Sequence, residues 1–500
     1  MLTTRSDYQR LIVIVLALAA GCSHSTNTTT ETNAPVDAGC DGAQCVAVDP
    51  CVADPHGAGC AYRAVAGAFH VFGVTSDNYA LVTDSANNAS MLDLAQGTLT
   101  PLATDYTSGT IASGNVVFVY HGGAVGSTHL PVVIWTAADG VRELDPSAAS
   151  FNNPPSSDGT HVVWIGNVAS DGSAGDMLLG SVDGQTPPTT LLAGVSLLQN
   201  CSFIGINGTI VGKRVIFDGC QNGVFESTLY SYDVDSAKLV GSTPSSRSYS
   251  LIDGINGHIL VATDSGASVA DLDLAVVTPI ATDYWNGIFT PDGKSVFYAD
   301  KESALWLVSV AGGAPQLVQA GPSTAPVAIS PDGRLALYTN LSTDTALTDL
   351  YMTSLVPNAP APLALRTTPD ATILSNAFTA DSKFALYVDN VDADYNGTLW
   401  AQPTAGGAGR MLANLDFYWQ TLDGSRLLFT DVPVESTSPN GAADAVANID
   451  YVDLSTGAAP TTLVQNANAY FYTTVDSKTL VYAIFDDPTR AGVYTMKLPQ

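Results

Sequence analysis

From about residue 61 onward the chain is a succession of short apolar runs divided by Gly, Asp, Asn, Ser and Pro, without the 3.6-residue periodicity of an amphipathic helix. One unit recurs. FTPDGKSVFYAD at Phe289–Asp300 is repeated as ISPDGRLALYTN at Ile329–Asn340, FTADSKFALYVD at Phe378–Asp389 and QTLDGSRLLFTD at Gln420–Asp431. Val475-Asp476-Ser477-Lys478 repeats its turn near the C-terminus. Each copy predicts a short strand, a two-residue Asp-Gly or Asp-Ser turn with positive backbone angles, and a returning strand. The returning strands, such as Ser295–Ala299 and Leu335–Thr339, are apolar almost without interruption. Burial of both faces is therefore expected.

Fainter copies lie upstream at Ser76–Asp84, Ser113–His121, Ser157–Ile165, Val211–Gly219 and Asn256–Asp264. The ten turns, near residues 77, 114, 158, 212, 257, 292, 332, 381, 423 and 476, are spaced by 35 to 54 residues. That is the span of a four-stranded propeller blade. A third strand can be read at Leu305–Val310 or Asp349–Leu355, and a fourth at Pro315–Ala320. The expectation is an all-β chain, a β-propeller of about ten four-stranded modules over residues 61–500. A single large ring is favoured, with seven or eight blades, or two smaller rings, as alternatives left open. The last copy ends with its third strand at Gly492–Leu498, while AYRAVAG at Ala61–Gly67 precedes the first hairpin. This N-terminal strand is expected to complete the last blade and close the ring, removing its exposed edges.

The [FI]-[ST]-P-D-G-[KR] turn followed by an apolar strand resembles the TolB-type, WD-like β-propeller repeat. The copies at Phe289 and Ile329 match it closely, three others share the Asp turn, and the remainder match in pattern. TolB itself has an additional N-terminal α/β domain with no counterpart before residue 61, so a role in its envelope complex is not implied. The same repeat occurs in prolyl-oligopeptidase-type enzymes beside an α/β-hydrolase domain. Neither a G-x-S-x-G elbow nor a block of alternating helices and strands is legible here.

Ahead of the repeats, Arg5 and Arg10 precede the apolar run Leu11–Ala20, which is too short to span a bilayer. Ala19-Ala20-Gly21-Cys22 resembles the lipobox of bacterial lipoproteins. The resemblance implies a signal peptide over residues 1–21 and an acylated Cys22, with two or more acyl chains giving stable membrane attachment. Ser23 resembles the pattern that directs lipoproteins to the outer membrane. Residues 22–39, rich in Thr and Asn, read as a flexible tether, and residues 40–60 as a Cys-rich linker. In an oxidising compartment Cys40, Cys45, Cys51, Cys60, Cys201 and Cys220 are disulfide candidates; the first four admit three pairings, and the last two flank a predicted hairpin.

Composition narrows the function classes. Hydrophobic residues make up 46% and charged ones 13%, enough for a large core. The formal net charge of -29 repels phosphate backbones, so nucleic acid is not an expected partner. Asp392, Asp394 and Asn396, followed by Gly397, resemble the first half of a calcium loop, making calcium the one candidate cofactor. His161 and His258 follow comparable turns, and the aromatics Tyr284, Trp285, Phe417, Tyr418 and Trp419 fall on or before first strands. No convergent acid, base and nucleophile set is legible. The expected function is a membrane-anchored, non-catalytic scaffold of the cell envelope that binds a protein or glycan. The alternative is a metal-assisted, polysaccharide lyase-like propeller enzyme using His161 and His258.

Overall fold

The computed structural model describes residues 60–499 apart from 124–126, 128, 150–154, 197–208, 212, 221–226, 244–249, 256, 264–265, 321–323, 342–347, 357–360, 367–376, 390–396, 416–418, 432–445, 469 and 485–488. The described residues form ten antiparallel sheets that follow one another along the chain. Blades 1 to 5 span 69–103, 106–149, 156–196, 209–242 and 250–281; blades 6 to 9 span 284–319, 324–366, 378–415 and 419–468. Blade 10 combines 471–497 with the strand Ala61–Ala66. Nine sheets have four strands; in blade 8 three are described, preceded by a bridge between Phe378 and Ala385.

The ring closes through the N-terminal strand. Ala61–Ala66 pairs antiparallel with Gly492–Lys497, Ala61 opposite Met496 and Ala66 opposite Gly492. Ala64 then packs with Val71 and Val82 of blade 1 and with Val481, Ala483 and Val493 of blade 10, joining the two ends of the chain. The molecule is a ten-bladed β-propeller.

Its core is a set of ten apolar clusters, one at each junction between neighbouring blades. The continuous apolar strands explain this arrangement. Side chains alternate across a strand, so every second residue meets a different neighbouring blade. In Ser295–Asp300, Val296 and Tyr298 pack towards blade 5, while Phe297 and Ala299 pack towards blade 7. In Arg426–Asp431, Leu427 and Phe429 face blade 8 and Leu428 faces blade 10. Phe118, Phe217, Phe297, Phe429 and Phe471 are each fully buried in this way. Each contributes about 1.5–3 kcal/mol relative to an exposed ring.

First strands of neighbouring blades converge around the axis. Glycine permits that approach: a Cβ on Gly73 of blade 1 would lie 2.7 Å from Ile111 Cδ1 of blade 2. Fourth strands form the outer edge. In all ten blades the pairing of third and outermost strand contains a register shift. Such bulges twist an edge out of the plane in which another strand could add to it.

Blades 4 and 5 reverse through two residues, Val211 pairing with Arg214 and Ile255 with His258, whereas the Asp-bearing turns of blades 6, 7, 8 and 10 are longer than the two-residue type predicted for them. In blade 6 the loop holds four residues, Pro291–Lys294, built on a hydrogen bond from Gly293 N–H to the Thr290 carbonyl. Only its third residue is left-handed, Gly293 having φ 65 and the equivalent Ser382 φ 61. The preceding Thr or Ser satisfies the loop through its side chain, so Asp need not adopt a positive angle.

A branched side chain is also excluded where the first and second strands of a blade pack tightly. Gly287 of blade 6 sits 2.7 Å, measured from its ideal Cβ, from Tyr298 Cβ and 3.0 Å from the Phe297 carbonyl oxygen. Gly287→Val is expected to destabilise the ring by about 1–3 kcal/mol, read from denaturant unfolding.

Candidate functional site

Four turns on one face of the ring share one hydrogen-bond network. In blade 6, Thr290 Oγ1 donates to Asp292 Oδ1 at 2.7 Å, the Lys294 amide donates to the same oxygen at 3.1 Å, and the Ser295 amide donates to Thr290 Oγ1 at 3.1 Å. Ser330 and Asp332, Thr379 and Asp381, and Thr474 and Asp476 repeat the pattern. In these four blades the T/S-x-D spacing closes a local circuit. Blade 9 has the same spacing at Thr421 and Asp423, but there Leu422 N–H bonds the Arg426 carbonyl, the loop is one residue shorter and Thr421 belongs to the strand.

Neighbouring turns also join across the face. Asp332 N–H donates to Ser382 Oγ at 3.0 Å, and Ser425 Oγ donates to Asp381 Oδ2 at 2.6 Å. Between blades 6 and 7 the corresponding position is Gly333, whose ideal Cβ would meet only Pro291 Cδ, at 3.9 Å. With no side chain to reach across, a cleft of about 370 Å³ opens there, lined by Thr290, Pro291, Asp292, Pro331, Asp332 and Leu355. Two of these turns pair their charges, Lys383 with Asp381 at 3.0 Å and Lys294 with Asp292 at 3.7 Å. Exposed pairs of this kind add at most about 1 kcal/mol each.

At Asp381, burial opposes ionisation, but hydrogen bonds from Ser425, Lys383 and Thr379 outweigh it and hold the carboxyl down at about 2. Asp292 is lowered chiefly by the Thr290 hydroxyl and Asp476 chiefly by the Thr474 hydroxyl.

The sequence-predicted site residues are dispersed. His161 opens the second strand of blade 3 and places Nδ1 3.1 Å from Asp158 Oδ2 within its own turn. His258 opens the second strand of blade 5, two blades away. His121 and His129 lie at the other end of blade 2. Among the described residues, no group of three or more His, Cys, Asp and Glu could hold a metal ion. Of the aromatics, Tyr284 is wedged between blades 5 and 6, whereas Trp285 projects from the first strand of blade 6 with 50% exposure. Phe417 and Tyr418 lie outside the described residues, and of Trp419 only the backbone is described.

The calcium-loop candidates Asp392, Asp394 and Asn396, like Cys22, Cys40, Cys45, Cys51 and Cys201, lie outside the described residues. Cys220 ends the second strand of blade 4 and is described in its backbone alone. Cys60, buried just before the closing strand, is disulfide-bonded. Sequence reading missed the buried carboxylates of the interior, Asp145, Asp389 and Asp450. Asp450, 8% exposed, lies within the third strand of blade 9, and Asp431 ends the strand beside it. Their signal is a carboxylate inside apolar strands, LLFTD and ANIDYVD, and it resembles an ordinary strand end until the register is known.

No protein-family model matches the chain, and no curated protein matches it. Solved structures resemble it at the level of fold. Tricorn protease aligns with 86% of this chain at 15% identity and a TM-score of 0.29, and the chain spans 52% of that protein's length. A eukaryotic initiation factor aligns over 79% of this chain and 87% of its own, at 12% identity and a TM-score of 0.44. BamB from Moraxella catarrhalis aligns over 69% and 95%, at 12% identity and a TM-score of 0.34.

The turn carboxylates set an acid dependence with a definite sign. A carboxyl depressed in the folded state contributes stability above its ordinary value of 3.8, and this is lost as pH falls through the folded value of about 2. Asp381→Asn should therefore lower the thermal midpoint at neutral pH. The gap between wild type and variant should close as pH is brought from about 4 to about 2, followed by thermal unfolding at each pH.

Proposed function

We propose that the chain is an exported lipoprotein whose propeller serves as a non-catalytic binding scaffold in the cell envelope, engaging a protein or glycan along its axial channel. The observation that supports this most directly is the blade number. At constant spacing between sheets, the radius of the innermost strands grows about 1.4-fold from seven blades to ten, so ten blades surround a broad channel. Trp285 offers that channel a half-exposed indole, a group suited to stacking on sugars or clasping peptide.

The N-terminal segment supplies the anchor. Residues 1–21 act as the signal peptide, Cys22 takes the acyl chains, residues 22–39 form the tether and residues 40–60 a disulfide-linked linker, ahead of the propeller at 61–500. Ala61–Ala66 is the outermost strand of blade 10, so the chain enters the ring at its rim. The repeats are of TolB type, by the Pro291-Asp292-Gly293-Lys294 and Pro331-Asp332-Gly333-Arg334 turns. The outer membrane is the expected site of attachment.

Two measurements test the reading. Cys22→Ala should move the protein from the membrane fraction to the soluble fraction and abolish its labelling by fatty acid; a wild-type chain that is itself soluble and unlabelled removes the anchor from the proposal. A photo-crosslinking residue at position 285 should capture an envelope protein or glycan, while the same residue at Leu239 on the rim should not. Capture from the rim alone would contradict binding along the axis.

A further inference from the structure

The interior holds two kinds of carboxylate. Asp145, 5% exposed, is fully served: Trp164 Nε1 donates to one oxygen at 3.0 Å and the Ser147 amide to the other at 2.7 Å. Asp450 is 8% exposed, and its Oδ1 is sealed from solvent with no hydrogen-bond partner. A carboxylate in this position either takes up a proton or keeps its charge against a compensating cation, because an uncompensated buried charge is among the costliest features a fold can hold.

Register places a second carboxylate beside it. Across the second and third strands of blade 9, Phe429 is opposite Asp450 and Asp431 is opposite Asn448. Asp431 is thus the diagonal neighbour of Asp450, and diagonal neighbours on an antiparallel pair share a face within reach of longer side chains. That face is turned towards blade 8, because Leu427, Phe429 and Val452 on it pack with Leu386, Val388 and Leu399. Burial raises both carboxyls above their ordinary value, and the charge on Asp450 raises Asp431 further. Among the described residues, Thr462 is the one group that favours ionisation of the pair, and a single hydroxyl does not balance two carboxylates.

We propose that Asp431 and Asp450 together bind a divalent cation of the calcium type at the junction of blades 8 and 9. The donor set is all oxygen, which suits a hard cation. Asp431 is only partly buried, so water can complete the shell, as calcium's variable coordination allows. A cation there would compensate the orphan oxygen of Asp450, remove the repulsion between the carboxylates and clamp two strands of blade 9 at their ends. The proposal is independent of the anchoring and binding roles proposed above.

The test uses the full mature chain stripped of metal with EDTA, with calcium and then magnesium as probes. Calcium should bind this pair with a measurable isotherm and raise the thermal midpoint by about 2–4 °C at saturation, magnesium raising it less. Asp450→Asn and Asp431→Asn should each weaken that calcium response at least about tenfold. Both variants are expected to fold, since each removes a like-charge contact; a wild-type-like circular dichroism spectrum verifies this. A wild type that does not respond to calcium would overturn the proposal. So would a full response in both variants, which would place the calcium elsewhere. An Asp450→Asn protein more stable than wild type, with neither responding to metal, would also overturn it, because the pair would then be sharing a proton.

Discussion

Each second strand of this chain is apolar on both faces, and a sheet built around such a strand cannot leave either face in water. That requirement generates the architecture. A sandwich covers one face of each sheet and an open stack leaves two faces bare at its ends, whereas a closed ring gives every face a neighbour. The last junction is as apolar as the others: Val481, Ala483 and Val493 of blade 10 meet Val71 and Val82 of blade 1. Closure by Ala61–Ala66 is therefore a consequence of the same burial that forms each blade, reinforced by strand pairing between distant parts of the chain.

The polar features act at a smaller energetic scale and do different work. Thr290, Asp292 and their counterparts complete turns whose exposed ion pairs are individually weak, so their effect is to fix where each hairpin reverses. A one-residue slip would exchange the two faces of a strand, sending Phe297 towards blade 5 in place of Val296. The bulges of the outermost strands serve specificity of another kind, since they keep ten unpaired edges from recruiting further strands. Apolar faces thus supply stability, while turns and bulges select one arrangement.

Function in such a ring is sought where the packing requirement relaxes. That happens along the axis, where first strands expose one side of their side chains, and at junctions where a residue is small or charged. Gly333 opens a cleft because it lacks the hydroxyl that Ser382 supplies one blade further on. Asp450 interrupts a junction that is otherwise filled by Phe429 and Val452.

By itself the sequence determined the repeat and the two-sided burial of the second strands, because these depend on local spacing: a turn every few tens of residues and unbroken apolar runs such as SVFYAD. It suggested about ten modules, and the tertiary structure decided that they form ten blades of one ring. It also contained the closing strand, legible from a last module short by one strand and an unpaired run at Ala61. Turn geometry was only half legible, since Asp-Gly suggests a two-residue reversal and the circuit through Thr290 makes it four. The placement of polar residues required the tertiary structure. His161 and His258 look equivalent along the chain yet stand two blades apart, and Asp431 and Asp450 look unrelated yet share one face, because strand register and ring closure set those distances and neither is a local property of the chain.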